Sequence, residues 1–174
     1  MTAPFGIPFF SDVHSLSILN EFGQNKFAVE APTPHPLFQT YVVQATSALG
    51  VVWVKGLSEA KMVDIYGNAL RADVDRVAMQ LSGKYGPGAK TDLLMSGSFW
   101  DGPQYWMNSL ADQQRLYFYL WDTKGRASLP DDLMNIYLGA TGYSGSEGAV
   151  TLEYSSNRMD EAERETEIGM SDVL

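Results

Sequence analysis

The chain contains no cysteine, and this absence removes several kinds of chemistry. Without a thiol there is no disulfide, no thiolate metal site, no iron–sulfur cluster and no cysteine nucleophile. Histidine is scarce as well, since His14 and His35 are the only two. Nothing in the local sequence brings them together with carboxylates, so we expect no metal and no cofactor.

Long hydrophobic runs are also missing. The first eight residues have neither the basic region nor the apolar stretch of a secretory signal peptide. No window approaches the roughly 18 apolar residues of a membrane-spanning helix. A cysteine-free chain fits the reducing cytosol. These features predict a cytoplasmic protein that does not contact membranes.

Positive charge is in deficit, with 12 Lys and Arg against 21 Asp and Glu and a net charge of −9. This balance argues against direct binding of nucleic acid, which needs a basic face. Because opposite charges steer association, one interpretation is an inhibitor of a basic partner protein, and simple solubility is the other. We expect one domain over residues 1–157, followed by a charged tail at 158–174 that is either mobile or a solvated helix.

The hydrophobic pattern predicts an α+β fold. Runs rich in β-branched and aromatic residues are separated by short turns, which favours hairpins and antiparallel pairing. We expect an antiparallel sheet of about five strands, with one face packed on a long helix at about 59–83. The expected strands are 27–30, 37–46, 51–57, 115–122, 136–143 and 149–154, and the expected shorter helices are 11–22 and 103–110.

The long helix is predicted from apolar residues that recur at three- and four-residue steps between Met62 and Tyr85. Ser58 would cap its start, and the glycines from Gly83 onward would end it. Gly67 would lie inside the helix, where glycine costs about 1 kcal/mol relative to alanine.

Two short motifs approach catalytic signatures but lack the required spacing. Between Gly83 and Thr91, Ala89 separates the second glycine from the lysine of a phosphate-binding loop. Ser144 lacks the residue that a nucleophile elbow needs between the serine and the following glycine. We therefore predict no catalytic residue.

Eight aromatic residues crowd into the 23 positions from Phe99 to Trp121. Three interpretations are open, namely a hydrophobic core, a protein-binding patch and a platform for stacking sugars or bases. If 115–122 is a strand, we expect the face of Leu116, Phe118 and Leu120 in the core and the opposite Tyr/Trp face partly exposed. The candidate binding residues are Trp100, Trp106, Tyr117, Tyr119 and Trp121.

Several short motifs occur in a fixed order within residues 37–157. They are Lys84-Tyr85-Gly86, Ser96-Gly97-Ser98-x-Trp100, Trp106-Met107 and Leu129-Pro130, followed by a closing hairpin. This order resembles a pattern in small acidic bacterial and phage proteins of unassigned function. The resemblance implies a bacterial or phage origin and transfers no catalytic residue. By analogy alone, small acidic proteins of this sort are often immunity proteins or other inhibitors.

Three functions remain open at this point. The first is a non-enzymatic binding protein that inhibits or neutralises a partner, of immunity or anti-defence type, through an aromatic surface. The second is a small-ligand-binding or hydrolytic domain whose aromatic-lined cleft has Asp92, Asp101 or His14 nearby. The third is a structural or assembly subunit.

Overall fold

The computed structural model describes residues 1–173, and hydrogen bonds join nine strands of this part of the chain into one antiparallel sheet. The strand order is β1-β2-β3-β4-β9-β8-β7-β6, and β5 pairs with β9 off this path. The strands are β1 (Ile18–Gly23), β2 (Lys26–Val29), β3 (Phe38–Thr46), β4 (Gly50–Ser58), β5 (Lys61–Met62), β6 (Ala89–Leu94), β7 (Arg115–Asp122), β8 (Leu133–Ser144) and β9 (Glu147–Ser156). The α-helices are α1 (Asn68–Tyr85), α2 (Trp106–Ala111) and α3 (Met159–Ser171).

The α+β expectation of about five strands packed on a helix at 59–83 is wrong. The first part of that segment is not helical, because Lys61 and Met62 pair with β9 as strand β5. The carboxylate of Asp64 then accepts the backbone N–H of Tyr66 at 2.9 Å and forms a turn, and Gly67 adopts φ +66° immediately before α1. Met62 and Tyr66 follow a helical spacing but are exposed, so their periodicity arises without a helix.

Two further segments differ from the expectation. The predicted helix at 11–22 is a short 3-10 turn at Val13–Ser15, capped by the Asp12 carboxylate, followed by strand β1. The glycine-rich segment after α1 leads into β6, a strand that local composition did not suggest. By contrast, the predicted strand at 115–122 is present as β7 with the same bounds.

The chain divides into two compact units. The first contains Met1–Gly56, Leu129–Ile136 and the described residues from Glu153 onward. Ile7 and Phe9 are fully buried in it, and the backbone N–H and hydroxyl of Thr2 donate to the Asp132 carboxylate at 2.6 and 2.5 Å. Helix α3 occupies most of the acidic tail and buries Ala162, while Leu174 of that predicted tail lies outside the described residues.

The second unit contains Leu57–Ser128 and Tyr137–Leu152. Helix α1 buries one stripe here, because its apolar residues recur with the helical period. The indole of Trp121 is fully buried and donates its N–H to the carbonyl of Gly86 at 2.8 Å. The buried stripe of α1 is formed by Leu70, Val74, Val77, Ala78, Leu81 and Tyr85. Within residues 1–173, no helix has the length and apolar character needed to cross a lipid bilayer.

Candidate interaction site

Four polar residues of the second unit meet where α1 covers β6 and β7. We call this group the Asp75 cluster, and it consists of Asp75, Lys90, Tyr117 and Tyr119. The hydroxyls of Tyr117 and Tyr119 both donate to Oδ1 of Asp75, at 2.7 and 2.9 Å. The ammonium of Lys90 lies 3.4 Å from the same oxygen and over both phenol rings. The cluster therefore ties α1 to β6 and to β7.

The protonation of the Asp75 cluster follows from burial and mutual contact. Burial, reinforced by Asp75, raises the pKa of Tyr117 to about 12, and burial raises the pKa of Tyr119 in the same direction. Burial alone would lower the pKa of Lys90, but its hydrogen bonds with the two tyrosines and the charge of Asp75 raise it. An efficient general acid or base has a pKa near the working pH. These phenols and this ammonium therefore hold their protons at neutral pH and suit a structural role.

Two tryptophans complete the interior next to the Asp75 cluster. Trp106 is only 3% exposed and meets Tyr117 edge to face, with ring centroids 5.6 Å apart. The guanidinium of Arg71 lies 4.4 Å from the centroid of the Trp106 ring. Trp121 stacks on Tyr119 at 5.9 Å. Three of the five candidate binding residues, Trp106, Tyr117 and Trp121, are thus buried, and Tyr119 is half-buried.

The two faces of β7 are assigned opposite to our expectation. The strand alternates as predicted, but Tyr117 and Trp121 are buried while Leu116, Phe118 and Leu120 are half-buried. The physical reason is that α1 provides a carboxylate for the two phenol hydroxyls, so the polar ends of the tyrosines keep hydrogen-bond partners when the helix covers this face. Alternation along one strand identifies its two faces but does not show which one a helix covers.

A different part of the aromatic segment lies at the surface. Phe99 is 89% exposed, Tyr105 is 37% exposed and Trp100 is half-buried. The rings of Trp100 and Tyr105 are 5.3 Å apart. We call these three residues the Phe99 patch. Trp100 is the one predicted binding residue that belongs to it.

The loop that carries Phe99 is held by hydrogen bonds on both sides of this residue. The indole N–H of Trp100 donates to Asp112 at 2.6 Å, and its backbone N–H donates to the Ser98 hydroxyl at 3.1 Å. Ser98 in turn donates to the side chain of Gln114. Phe99 therefore projects from a loop whose flanking residues already have fixed partners.

Two carboxylates lie beside the Phe99 patch. Asp101 and Asp112 are exposed carboxylates, and Asp112 also accepts the Trp100 indole N–H. From Thr91 to Gln114 the sequence contains no lysine or arginine. The patch therefore combines exposed aromatic carbon with nearby negative charge.

The residues expected around a ligand cleft lie in different units, since His14 belongs to the first unit and Asp92 and Asp101 belong to the second. A cavity of about 540 Å³ in the first unit is lined by Asp12 and His14 but by no residue of the segment 99–121. In the second unit Asp92 pairs with Arg115 at 3.2 Å, and Asp101 is exposed. In the described part of the chain, no group of three or more His, Asp or Glu side chains is arranged to hold a metal ion.

Comparison of the chain with protein-family models, with curated proteins and with solved structures finds no match.

Proposed function

We propose that this chain is a non-enzymatic binding protein that inhibits or neutralises a basic partner protein through the Phe99 patch. The single observation that carries this proposal is the nearly complete exposure of the Phe99 ring on a loop with fixed neighbours. Large aromatic side chains supply much of the binding energy of protein interfaces. The cytoplasm stays the proposed compartment, and immunity or anti-defence proteins are the proposed class.

The fixed loop supports the proposal on energetic grounds. Association costs free energy when side chains and loops become ordered at an interface, and a group already held in place avoids part of this cost. Trp100 is held by Asp112 and Ser98 before any partner arrives. Phe99 can therefore enter a pocket on a partner without first ordering its own loop.

The charge of the chain supports a basic partner. With a net charge of −9, and with Asp101 and Asp112 beside the Phe99 patch, a cationic surface is attracted at long range. Complementary charge mainly increases the association rate, while a buried aromatic side chain slows dissociation. We therefore expect association to slow as salt concentration rises.

Phe99→Ala tests this surface. The full chain and the variant are immobilised in parallel and exposed to extract from the producing cells. Each retained protein is then purified, and its affinity for the wild-type chain and for the variant is measured by titration. We expect a basic protein whose affinity falls by about 30-fold or more in the variant, as for an interface residue worth about 2 kcal/mol. Because Phe99 is exposed, the free energy of unfolding should change by less than about 0.5 kcal/mol.

Met79→Ala is the matched control, since Met79 is a large exposed apolar side chain on α1 outside the Phe99 patch. It should retain the partner with unchanged affinity. Equal retention of every partner by the wild type and by Phe99→Ala, with both proteins folded, would refute the proposal.

A further inference from the structure

Strand β6 is an open edge of the sheet. It stands at the end of the strand order and, within residues 1–173, pairs with β7 alone. All six of its residues keep one register with β7, from Ala89 opposite Leu120 to Leu94 opposite Arg115. The strand has neither a bulge nor a proline, two features that commonly protect an edge against pairing with another strand.

The direction of the free backbone groups follows from the hydrogen-bond pattern. Continuing the register places Met95 opposite Gln114, and the Met95 N–H donates to the Gln114 carbonyl at 2.7 Å. Hydrogen-bonded pairs alternate along an antiparallel ladder, so Thr91 and Leu93 also bond toward β7. The backbone N–H and C=O groups of Lys90 and Asp92 therefore point away from β7, toward the open edge.

The side chains of β6 alternate in chemistry as well as in direction. Lys90 and Asp92 lie on the face covered by α1, where Lys90 reaches Asp75 and Asp92 reaches Arg115. Ala89, Thr91 and Leu93 lie on the opposite face, and Leu93 is 52% exposed. Around Thr91 the order is apolar, cationic, hydroxyl, anionic, apolar.

We propose that β6 pairs antiparallel with β6 of a second copy of this chain, about a two-fold axis at Thr91. In this register Lys90 lies opposite Asp92 of the second copy, and Asp92 lies opposite its Lys90. These residues carry the outward backbone groups, so each pair also exchanges two backbone hydrogen bonds. On the other face Thr91 lies opposite Thr91 of the second copy. Ala89 of each copy lies opposite Leu93 of the other.

The charges favour this register over the two neighbouring two-fold alternatives. Moving the axis to Asp92 would place the two copies of Asp92 directly opposite each other, and moving it to Lys90 would do the same with two lysines. Like charges in that position are destabilising, whereas opposite charges and paired threonines are each worth roughly 0.2–1 kcal/mol. A two-fold interface buries the same surface on both subunits. Two-fold symmetric dimers are the commonest soluble homo-oligomers.

The ion pairs within each subunit extend naturally across the proposed axis. Lys90 is 3.4 Å from Asp75, and Asp92 is 3.2 Å from Arg115. Pairing would therefore create two rows in which Asp75, Lys90, Asp92 and Arg115 alternate in sign, with the first two residues from one copy and the last two from the other. The proposal is independent of the Phe99 patch, because it uses no residue of that surface.

Thr91→Cys tests the axis directly, because the natural chain has no cysteine that could compete. Opposite residues of a non-hydrogen-bonded pair have Cα atoms about 4.5 Å apart, which lies within the range of disulfide geometry. Under mild oxidation the variant should form a covalent dimer, visible on a non-reducing gel.

Leu93→Cys is the matched control on the same face of the same strand. In the proposed register two copies of position 93 lie about 13 Å apart along the strand, too far for a disulfide. Leu93 is also well exposed, so random collision would favour the control. We expect Thr91→Cys to cross-link about tenfold faster or more. Equal or faster cross-linking of Leu93→Cys would overturn the proposal.

Asp92→Pro provides a second measurement on the uncross-linked protein. Its N–H points away from β7, so proline removes a bond to the second copy without removing one from the β6–β7 ladder. Sedimentation should show a dimer for the wild type and a monomer of unchanged helix and strand content for the variant. A wild-type chain that stays monomeric at about 100 µM would also overturn the proposal.

Discussion

Two glycines near the ends of α1, Gly67 and Gly83, should respond in opposite directions to replacement by alanine. From the sequence, Gly67 lies inside a long helix and Gly83 helps to end it. In the structure Gly67 precedes α1 with φ +66°, and Gly83 lies within the last turns of the helix. For each substitution, the structure therefore reverses the sign of the stability change that the sequence predicts.

Gly67→Ala should destabilise the protein for two reasons. An L-residue in the left-handed region costs about 1–2 kcal/mol. A Cβ atom at this position would also overlap with the six-membered ring of the Trp106 indole. That indole cannot easily move, because it is buried against Tyr117 and Arg71, and such overpacking typically costs about 1–3 kcal/mol. The expected total is about 2–5 kcal/mol.

Gly83→Ala should stabilise the protein slightly. No atom lies within 4 Å of the position of an added Cβ, and Gly83 is not among the residues with positive φ. Alanine in a helix interior is favoured over glycine by about 0.5–1 kcal/mol, mainly because the unfolded chain loses freedom. Gly97→Ala separates the two costs at Gly67, because Gly97 has φ +82° but open space around its Cβ position.

Urea and thermal unfolding of the three variants, followed by tryptophan fluorescence and circular dichroism, measure these effects. For a chain of this length 1 kcal/mol shifts Tm by about 2–4 °C. Gly67→Ala should lower Tm by at least about 4 °C, and Gly83→Ala should raise it by about 1–4 °C. A Gly67→Ala variant as stable as the wild type, or a destabilised Gly83→Ala, would refute the proposed helix start and its contact with Trp106.

Two further outcomes follow from part-buried hydrogen bonds. Tyr117→Phe removes the 2.7 Å bond to Asp75 and should cost about 1–2 kcal/mol in urea unfolding. Since burial raises the pKa of Tyr117 from 10.0 to about 12, its stabilisation is complete below pH 10 and is lost as pH rises toward 12; Tyr117→Phe should weaken this alkaline loss. Burial alone would raise the pKa of Asp132, but hydrogen bonds from Thr2 hold it below its usual range. The stabilisation that the ionised Asp132 carboxylate provides should therefore be lost in acid, as the pH falls through its lowered pKa. At neutral pH, Asp132→Ala should speed proteolysis near Thr2.

Strand β7 shows how far local patterning reaches in this chain. Its aromatic and aliphatic residues alternate from Arg115 to Asp122, and the strand forms with those bounds. The same kind of reasoning failed for the start of α1, because Met62 and Tyr66 match a helical period by chance. The turn in which the Asp64 carboxylate accepts the Tyr66 N–H, and the positive φ of Gly67, keep the helix from starting before Asn68. Neither feature is visible in the spacing of hydrophobic residues.

The candidate surface also required the fold. The sequence singles out the segment 99–121 as unusual, but its pattern favours Tyr117 and Trp121 over Phe99 as binding residues. The deciding contacts are long-range, since Asp75 on α1 accepts hydrogen bonds from the hydroxyls of Tyr117 and Tyr119, which lie more than forty positions away in the sequence. The high exposure of Phe99 could have been suspected from its place between a glycine-rich turn and an acidic residue.

Composition and local order were enough to define the thiol-free, acidic character of the chain, its β-hairpins and the crowding of aromatics between Phe99 and Trp121. These properties depend on residue type or on neighbours a few positions apart. Tertiary structure alone decided that Trp106, Tyr117 and Trp121 are interior, that Phe99 projects, and that β6 is left as an edge. Burial and edge position depend on which distant segments pack together, and a pattern with a period of two or 3.6 residues carries no such information.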